Sequence, residues 1–284
     1  MKQELKEQFP EWTKNIEKNP LILSDDIDSL MSYIFLRDCF NCKVRYYYDV
    51  NGENWTHKLY KQKGFDYGLQ DYKAIAVDLA LEGYRCWDNH VIKVRDTDNT
   101  NNLSANLNVI DNISLDNYTD KWCVSTYITI LSYYDVDISK WTREQLAILC
   151  AIDGVYYPFQ NNYSSKIDFK AIATEHLEQL GYEFLAKFIE NNLEYIKKIK
   201  DDLNLDGKIK VKDGKLTTDI KLDKLSEIFN MDISLPTYTF QLRSTLTKRR
   251  RDVISKDSVK KYLIDDKKLR NFVLVNTRKI IFSY

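Results

Sequence analysis

Hydrophobic and polar positions alternate in this chain in short blocks rather than long runs. The block Leu21-Ile22-Leu23 ends in Ser24-Asp25-Asp26, and its length predicts a buried strand. From Asp28 to about Phe40 the apolar residues recur at helical spacing, so a helix follows. Lys43 to Val50 is rich in β-formers and reads as a second strand, turned by Asn51-Gly52. Residues 55–70 are mixed and polar and predict no element, and residues 1–20 read as a polar helix or arm. Lys73 to Asp78 is a third buried strand ending in an acid, and Cys86 to Ile92 follows after a short connection. Beyond the blocks Asn106–Asp111 and Tyr118–Trp122, helical patterning covers Val124 to Tyr134. A second helix is opened by Thr142 as N-cap, with Gln145 at the capping-box position, and runs toward Asp153-Gly154.

The composition shifts at Pro158 to Ser165, which places a boundary there. Past it, Ile167 to about Leu203 reads as one long helix or as two broken near Gly181. Lys208 to Lys221 reads as a hairpin turning at Asp213-Gly214, and Asp223 to Phe229 as a short helix. Thr237 to Leu246 reads as a strand, Lys256 to Asp265 as a helix, and Phe272 to Phe282 as a closing hairpin. The expected fold is α/β: a doubly wound, mainly parallel sheet over residues 1–160, then a smaller α+β domain over 161–284 covering the cleft.

Composition narrows the function classes. With 284 residues and 44% hydrophobic positions, the chain can bury a core in one or two domains. Lys+Arg and Asp+Glu both total 42, so any basic surface must be local. The strongest basic run is Lys248-Arg249-Arg250-Arg251, preceded by Arg243 on the predicted strand. It is either a solvated loop or, beside Tyr238 and Phe240, a track for a phosphate backbone. Strand alternation puts Tyr238, Phe240 and Leu242 on one face and leaves Arg243 to look across the cleft. No apolar run approaches the length of a bilayer span, and the N-terminus has no signal-peptide core, so no membrane association is expected. Five cysteines without a dense framework fit a reduced cytoplasm. The Cys39-Phe40-Asn41-Cys42 pair has no second pair to complete a zinc site. Eight glycines, with no GxGxxG and no P-loop, argue against dinucleotide and Walker-type sites.

The candidate chemistry lies in acids that recur where strands end. Asp26 and Asp28 are two apart and, on an extended strand end, point to one side, where hard oxygen donors suit Mg²⁺ or Mn²⁺. The alternative is a helix N-cap that only satisfies free N–H groups. Asp78, Asp88 and Asp153 end later apolar segments, and His90 follows Asp88 closely.

Four stretches in order resemble the DHH phosphoesterase superfamily over roughly residues 20–160. That superfamily includes RecJ-type single-strand exonucleases, oligoribonucleases, cyclic-dinucleotide phosphodiesterases and family II pyrophosphatases. The stretches are Ser24 through Ser32, Ala74-Ile75-Ala76-Val77-Asp78, Asp88-Asn89-His90, and Ile148 through Gly154. Ser24 stands where RecJ-type members often have an Asp, and Asn89 replaces a histidine that usually binds metal. No glycine-rich motif of the superfamily's usual second domain follows residue 160. The resemblance implies Mn²⁺ (or Mg²⁺), as two ions, with Asp78 bridging and Asp26, Asp28 and Asp153 holding one or the other. It gives His90 a place as nitrogen ligand or phosphate contact, and makes Asp78, Asp88 and His90 the catalytic set. Ser32, Asn89, Asn106, Asn108 and Arg243 are the candidates to contact substrate, which is expected to be single-stranded nucleic acid or a short oligonucleotide. The alternative is a degenerate site in an accessory protein that binds nucleotide or nucleic acid without turnover.

Overall fold

The computed structural model describes residues 1–52, 54–65, 73–160, 167–252 and 269–284. The expected helix Lys256–Asp265 lies outside them. The chain opens with α1 (Gln3–Lys6) and a 3₁₀ turn (Glu11–Lys14). The arm expected there is not polar throughout: Leu5, Phe9, Trp12 and Ile16 are buried, and Trp12 packs edge-on against Trp87 at 5.7 Å. Their spacing of three to four residues is helical, so one side of the arm is apolar and needs a core to cover it.

β1 (Pro20–Leu23) is wholly buried and is followed by α2 (Ile27–Phe40), which ends on Asn41 in the left-handed conformation (φ 52°). β2 (Lys43–Asp49) then pairs parallel to β1. The residues expected to be irregular form β3 (Thr56–Gln62), antiparallel to β2. Its composition hides it, because only His57 is fully buried and the other six positions are half-covered and largely polar.

β4 (Ile75–Val77), β5 (Arg85–Trp87) and β6 (Ser104–Ala105) add parallel strands on the other side of β1. The strands direct Leu21 and Leu23 into the main core, and Ile22 into a second core on the opposite face with Tyr46, Tyr48 and Ala76. The main core packs against α4 (Thr126–Tyr133), reached through the short α3 (Leu107–Ile110), and α5 (Arg143–Ala151), whose Thr142–Gln145 capping box is formed. α6 (Phe169–Gln179) and α7 (Phe184–Asp202) are separated at Gly181 (φ 73°).

The β7 (Ile209–Lys212)–β8 (Lys215–Thr218) hairpin and α8 (Leu222–Phe229) follow. β9 (Phe240–Asp252) is longer than expected and takes in the basic run, and β10 (Asn271–Asn276) and β11 (Lys279–Ser283) close the chain.

The sheet is mixed rather than mainly parallel. Its nine strands run β10-β11-β9-β3-β2-β1-β4-β5-β6, with a parallel half from β2 to β6 and an antiparallel half from β3 to β10. β9 pairs with β3, so strands from both sides of the composition shift share one sheet. The sheet curls until β10 meets the exit of β4: Leu81 bridges Asn271, and Asn271 Nδ2 donates to Ala80 O at 2.6 Å. A bulge at Arg243 in β9, opposite Leu59–Tyr60, reverses the alternation of the residues that follow it. Phe240 therefore joins the main core and Leu246 the opposite one, while Leu242 is exposed. Among the described residues no helix is long and apolar enough to cross a membrane.

Candidate functional site

β1 lies between β2 and β4, so the order of the parallel strands reverses at its C-terminal end. In an open α/β sheet that is where a crevice opens. Asp26, Asp28, Asp78 and Asp88 all follow strands β1, β4 and β5 at this edge, and Asp153 reaches it from the end of α5. Asp26 and Asp28 share a cavity, although not through strand alternation: the helix has already begun at Ile27. Asp26 caps α2 through Oδ1, which accepts from Ser29 N at 3.2 Å, the capping role expected as the alternative. Asp78 and Asp153 turn into the site in left-handed backbone conformations (φ 52° and 53°), which short acidic side chains tolerate better than most.

The carboxylates repel one another; Asp28 and Asp78 are buried, whereas Asp26 is partly exposed and Asp153 is exposed. Burial, then the charges of Asp153 and Asp26, raise the Asp28 pKa well above its ordinary value. Burial and then Asp28 do the same for Asp78. Asp153 is raised by the protein crowded around it, against His90 and Lys121, but its surface is exposed, so solvent weakens the shift. Asp28 Oδ2 and Oδ1 accept from Thr126 N and Tyr127 N, both at 2.7 Å, at the N-terminus of α4. Thr126 Oγ1 donates to Asp78 Oδ1 at 2.9 Å.

Asp78, Asp88 and His90 each offer one ligand atom within 4.8 Å of the others. Two carboxylates and an imidazole form a donor set that suits Mn²⁺, and Mg²⁺ less well. His90 Nδ1 lies 2.6 Å from Asp88 Oδ1, so Nδ1 carries the proton and Nε2 is left as the donor atom for a metal. Burial disfavours a charged His90, but the adjacent Asp88 outweighs it and the pKa is raised.

Asn106 and Asn108 serve this loop from within. Asn106 Nδ2 donates to Asp88 Oδ2 at 2.9 Å and to His90 O at 2.8 Å, and Asn108 Nδ2 donates to Asn89 O at 2.7 Å. Both are buried and hold the loop from within. Asn89, where the resemblance expects a second histidine, donates to Asp153 Oδ2 and to Val124 O. Ser32 is fully buried in α2. Arg243 also lies apart from the acids: it sits over the Tyr46 ring at 5.5 Å and lines a cavity of the opposite core with Ile22 and Tyr84.

Three participants were not singled out in the sequence. Lys208, at the start of the β7–β8 hairpin, brings Nζ to 3.3 Å from Asp26 Oδ2 and 3.9 Å from Asp25 Oδ1. Asp25 is buried, and burial and then Asp26 push its pKa up to about 7. Thr126 was hidden inside an apolar helix. Only the acid run Asp25-Asp26 carried a signal, because a hairpin 182 residues away cannot be assigned to it from spacing. Comparison with protein-family models, with curated proteins and with solved structures gives no match, so the site is read from its own geometry.

Proposed function

We propose that this protein is a metal-dependent phosphodiesterase acting on single-stranded nucleic acid or short oligonucleotides. The observation that carries the reading is the convergence of Asp78, Asp88 and His90 at the strand-order reversal of the sheet. Asp78 and His90 would hold a Mn²⁺ or Mg²⁺ ion there, and Asp26, Asp28 and Asp153 border the adjoining cavity where a second would sit. Such ions supply a water of low pKa and neutralise charge on a phosphoryl group. The chain's own part is positional. Asp88 and Asn106 fix the imidazole, Thr126 fixes Asp78, and Lys208 and Lys200 put positive charge beside the acids where a phosphate oxygen can be met.

A second reading has its own support: Lys208 already faces Asp26, and Asn89 already answers Asp153. The acids are then partly neutralised from within, and the protein binds nucleotide or nucleic acid without cleaving it. The deciding experiment follows a labelled single-stranded oligonucleotide with and without Mn²⁺, beside calorimetric Mn²⁺ titration. Turnover that requires Mn²⁺ and disappears in Asp78→Asn supports hydrolysis. Strand binding without turnover selects the second reading, and neither binding nor turnover removes both.

A further inference from the structure

Two buried polar atoms without a hydrogen-bond partner belong to residues that line one cavity. They are Asp25 Oδ1 and His57 Nε2, each on a residue only 1% exposed, and the cavity is about 180 Å³. Folded proteins seldom leave such atoms unpaired. Two of them around one cavity point to a visiting group.

Both side chains are held through their other polar atom, and Lys208 Nζ lies 3.9 Å from Asp25 Oδ1, beyond hydrogen-bond reach. Asp25 is held from its other oxygen, which accepts from Asn51 Nδ2 at 2.5 Å. Its backbone is held as well, since Ile209 N donates to Asp25 O at 2.8 Å. His57 has Nδ1 3.0 Å from Tyr48 Oη, which lies 3.0 Å from Ser283 Oγ, and Tyr48 packs edge-on against the ring at 5.4 Å. Burial and then Lys248 push the His57 pKa down to about 3, so the ring is neutral. The cavity also reaches Asp78 and His90 of the acid site. Its remaining wall includes the apolar side chains of Val50, Leu79, Val273 and Ile281.

We propose that this cavity is a nucleobase subsite, in which the base of a nucleotide lies against the apolar wall and hydrogen-bonds Asp25 Oδ1 and His57 Nε2. A planar apolar face with a polar edge is the shape such a wall accepts, and a phosphate on the same ligand falls at Asp78 and His90. Only that phosphate placement rests on the hydrolytic reading. An exocyclic amino group, as on adenine or cytosine, brings a donor to the carboxyl oxygen, which the exocyclic oxygens of uracil do not.

The test measures affinities of AMP, CMP, UMP and the base-free ribose 5-phosphate for the whole chain with Mn²⁺. AMP or CMP should bind about tenfold or more tightly than ribose 5-phosphate, as two added hydrogen bonds allow. Asp25→Asn and His57→Leu should each bring that ratio toward one, with melting curves to show folding and His57→Gln as the milder second variant. Equal affinity for nucleotide and ribose 5-phosphate in the unaltered protein overturns the subsite and leaves a cavity that holds water only. So does a ratio unmoved in the folded variants. Cleavage of bis(p-nitrophenyl) phosphate separates this from the proposed function. Cleavage without base discrimination removes the subsite alone, and discrimination without cleavage leaves the subsite while removing hydrolysis.

Discussion

The Asp78–Asp88–His90 end of the acid constellation and the Asp26–Asp28–Asp153 end use the same carboxylates, but the chain answers them differently. At the first end the partners are a threonine hydroxyl, an asparagine amide and an imidazole whose Nε2 can turn to a metal once it is free of its proton. At the second end an ammonium faces Asp26, two N–H groups of a helix N-terminus hold Asp28, and an amide holds Asp153. Neutral partners orient a carboxylate and leave its charge to attract a cation, whereas a lysine or a helix terminus supplies part of what the cation would. On the proposed reading the first end would be the stronger metal site, and the second would be weak until a protein group gives way.

The largest effect should come from Asp78→Asn, which keeps the side-chain shape and the left-handed backbone while removing charge. Mn²⁺ affinity measured by calorimetry and strand turnover should both be lost, with the melting temperature unchanged or higher because a repelling carboxylate is gone. Full turnover in the folded variant would falsify the assignment. Next is Asn106→Ala, which frees Asp88 and His90 from their support. Metal affinity should fall by about 10–100-fold, as for other groups that hold a ligand in place.

Asn89→His tests the second end from the opposite direction. An imidazole is a better donor than the amide, so Mn²⁺ affinity should rise by about tenfold, the lower end of what such neighbouring groups contribute. An unchanged titration would mean that His90 alone supplies the nitrogen. Lys208→Met removes the ammonium from Asp26 and should raise Mn²⁺ affinity severalfold. The gain should shrink as salt is added, because the lysine is partly exposed.

The smallest effect is on stability. Asp25 has an ordinary pKa of 3.8 and a folded-state pKa of about 7, so between those values the folded chain holds a proton that the unfolded chain has released. Its contribution is full below the lower value and lost as pH rises through the upper one. The melting temperature of chelator-treated protein should fall between about pH 4 and pH 7, by on the order of 2–4 °C for each kcal/mol lost in a chain of roughly this size. Asp25→Asn should flatten that slope.

Legibility in the sequence follows the range of the interactions involved. β1, α2, the Thr142 capping box and the break at Gly181 are set by neighbouring residues, so local pattern finds them. β3 escapes because its strand character comes from pairing with β2 and β9 rather than from an apolar face of its own. The apolar side of residues 1–20 escapes for a similar reason, since Trp12 has meaning only against Trp87. Among the site residues, the acids at strand ends stand out because a charge beside an apolar run is conspicuous. Asn106 and Asn108 look like ligand contacts in the sequence and turn out to be loop supports, a difference that only burial reveals. Lys208 and His57 reach the acids from distant segments, and no spacing rule links them.

The pairing of β3 with β9 also bears on how the chain is made. Thr56 lies opposite Thr247, so when the first half has left the ribosome β3 has one edge satisfied by β2 and the other open. An unpaired strand edge is a template for aggregation, and contacts this far apart in sequence form slowly. Nascent chains should therefore depend on chaperone shelter until the C-terminal strands arrive. A fragment cut at residue 160 should precipitate, and supplying residues 237–284 in trans should restore its solubility.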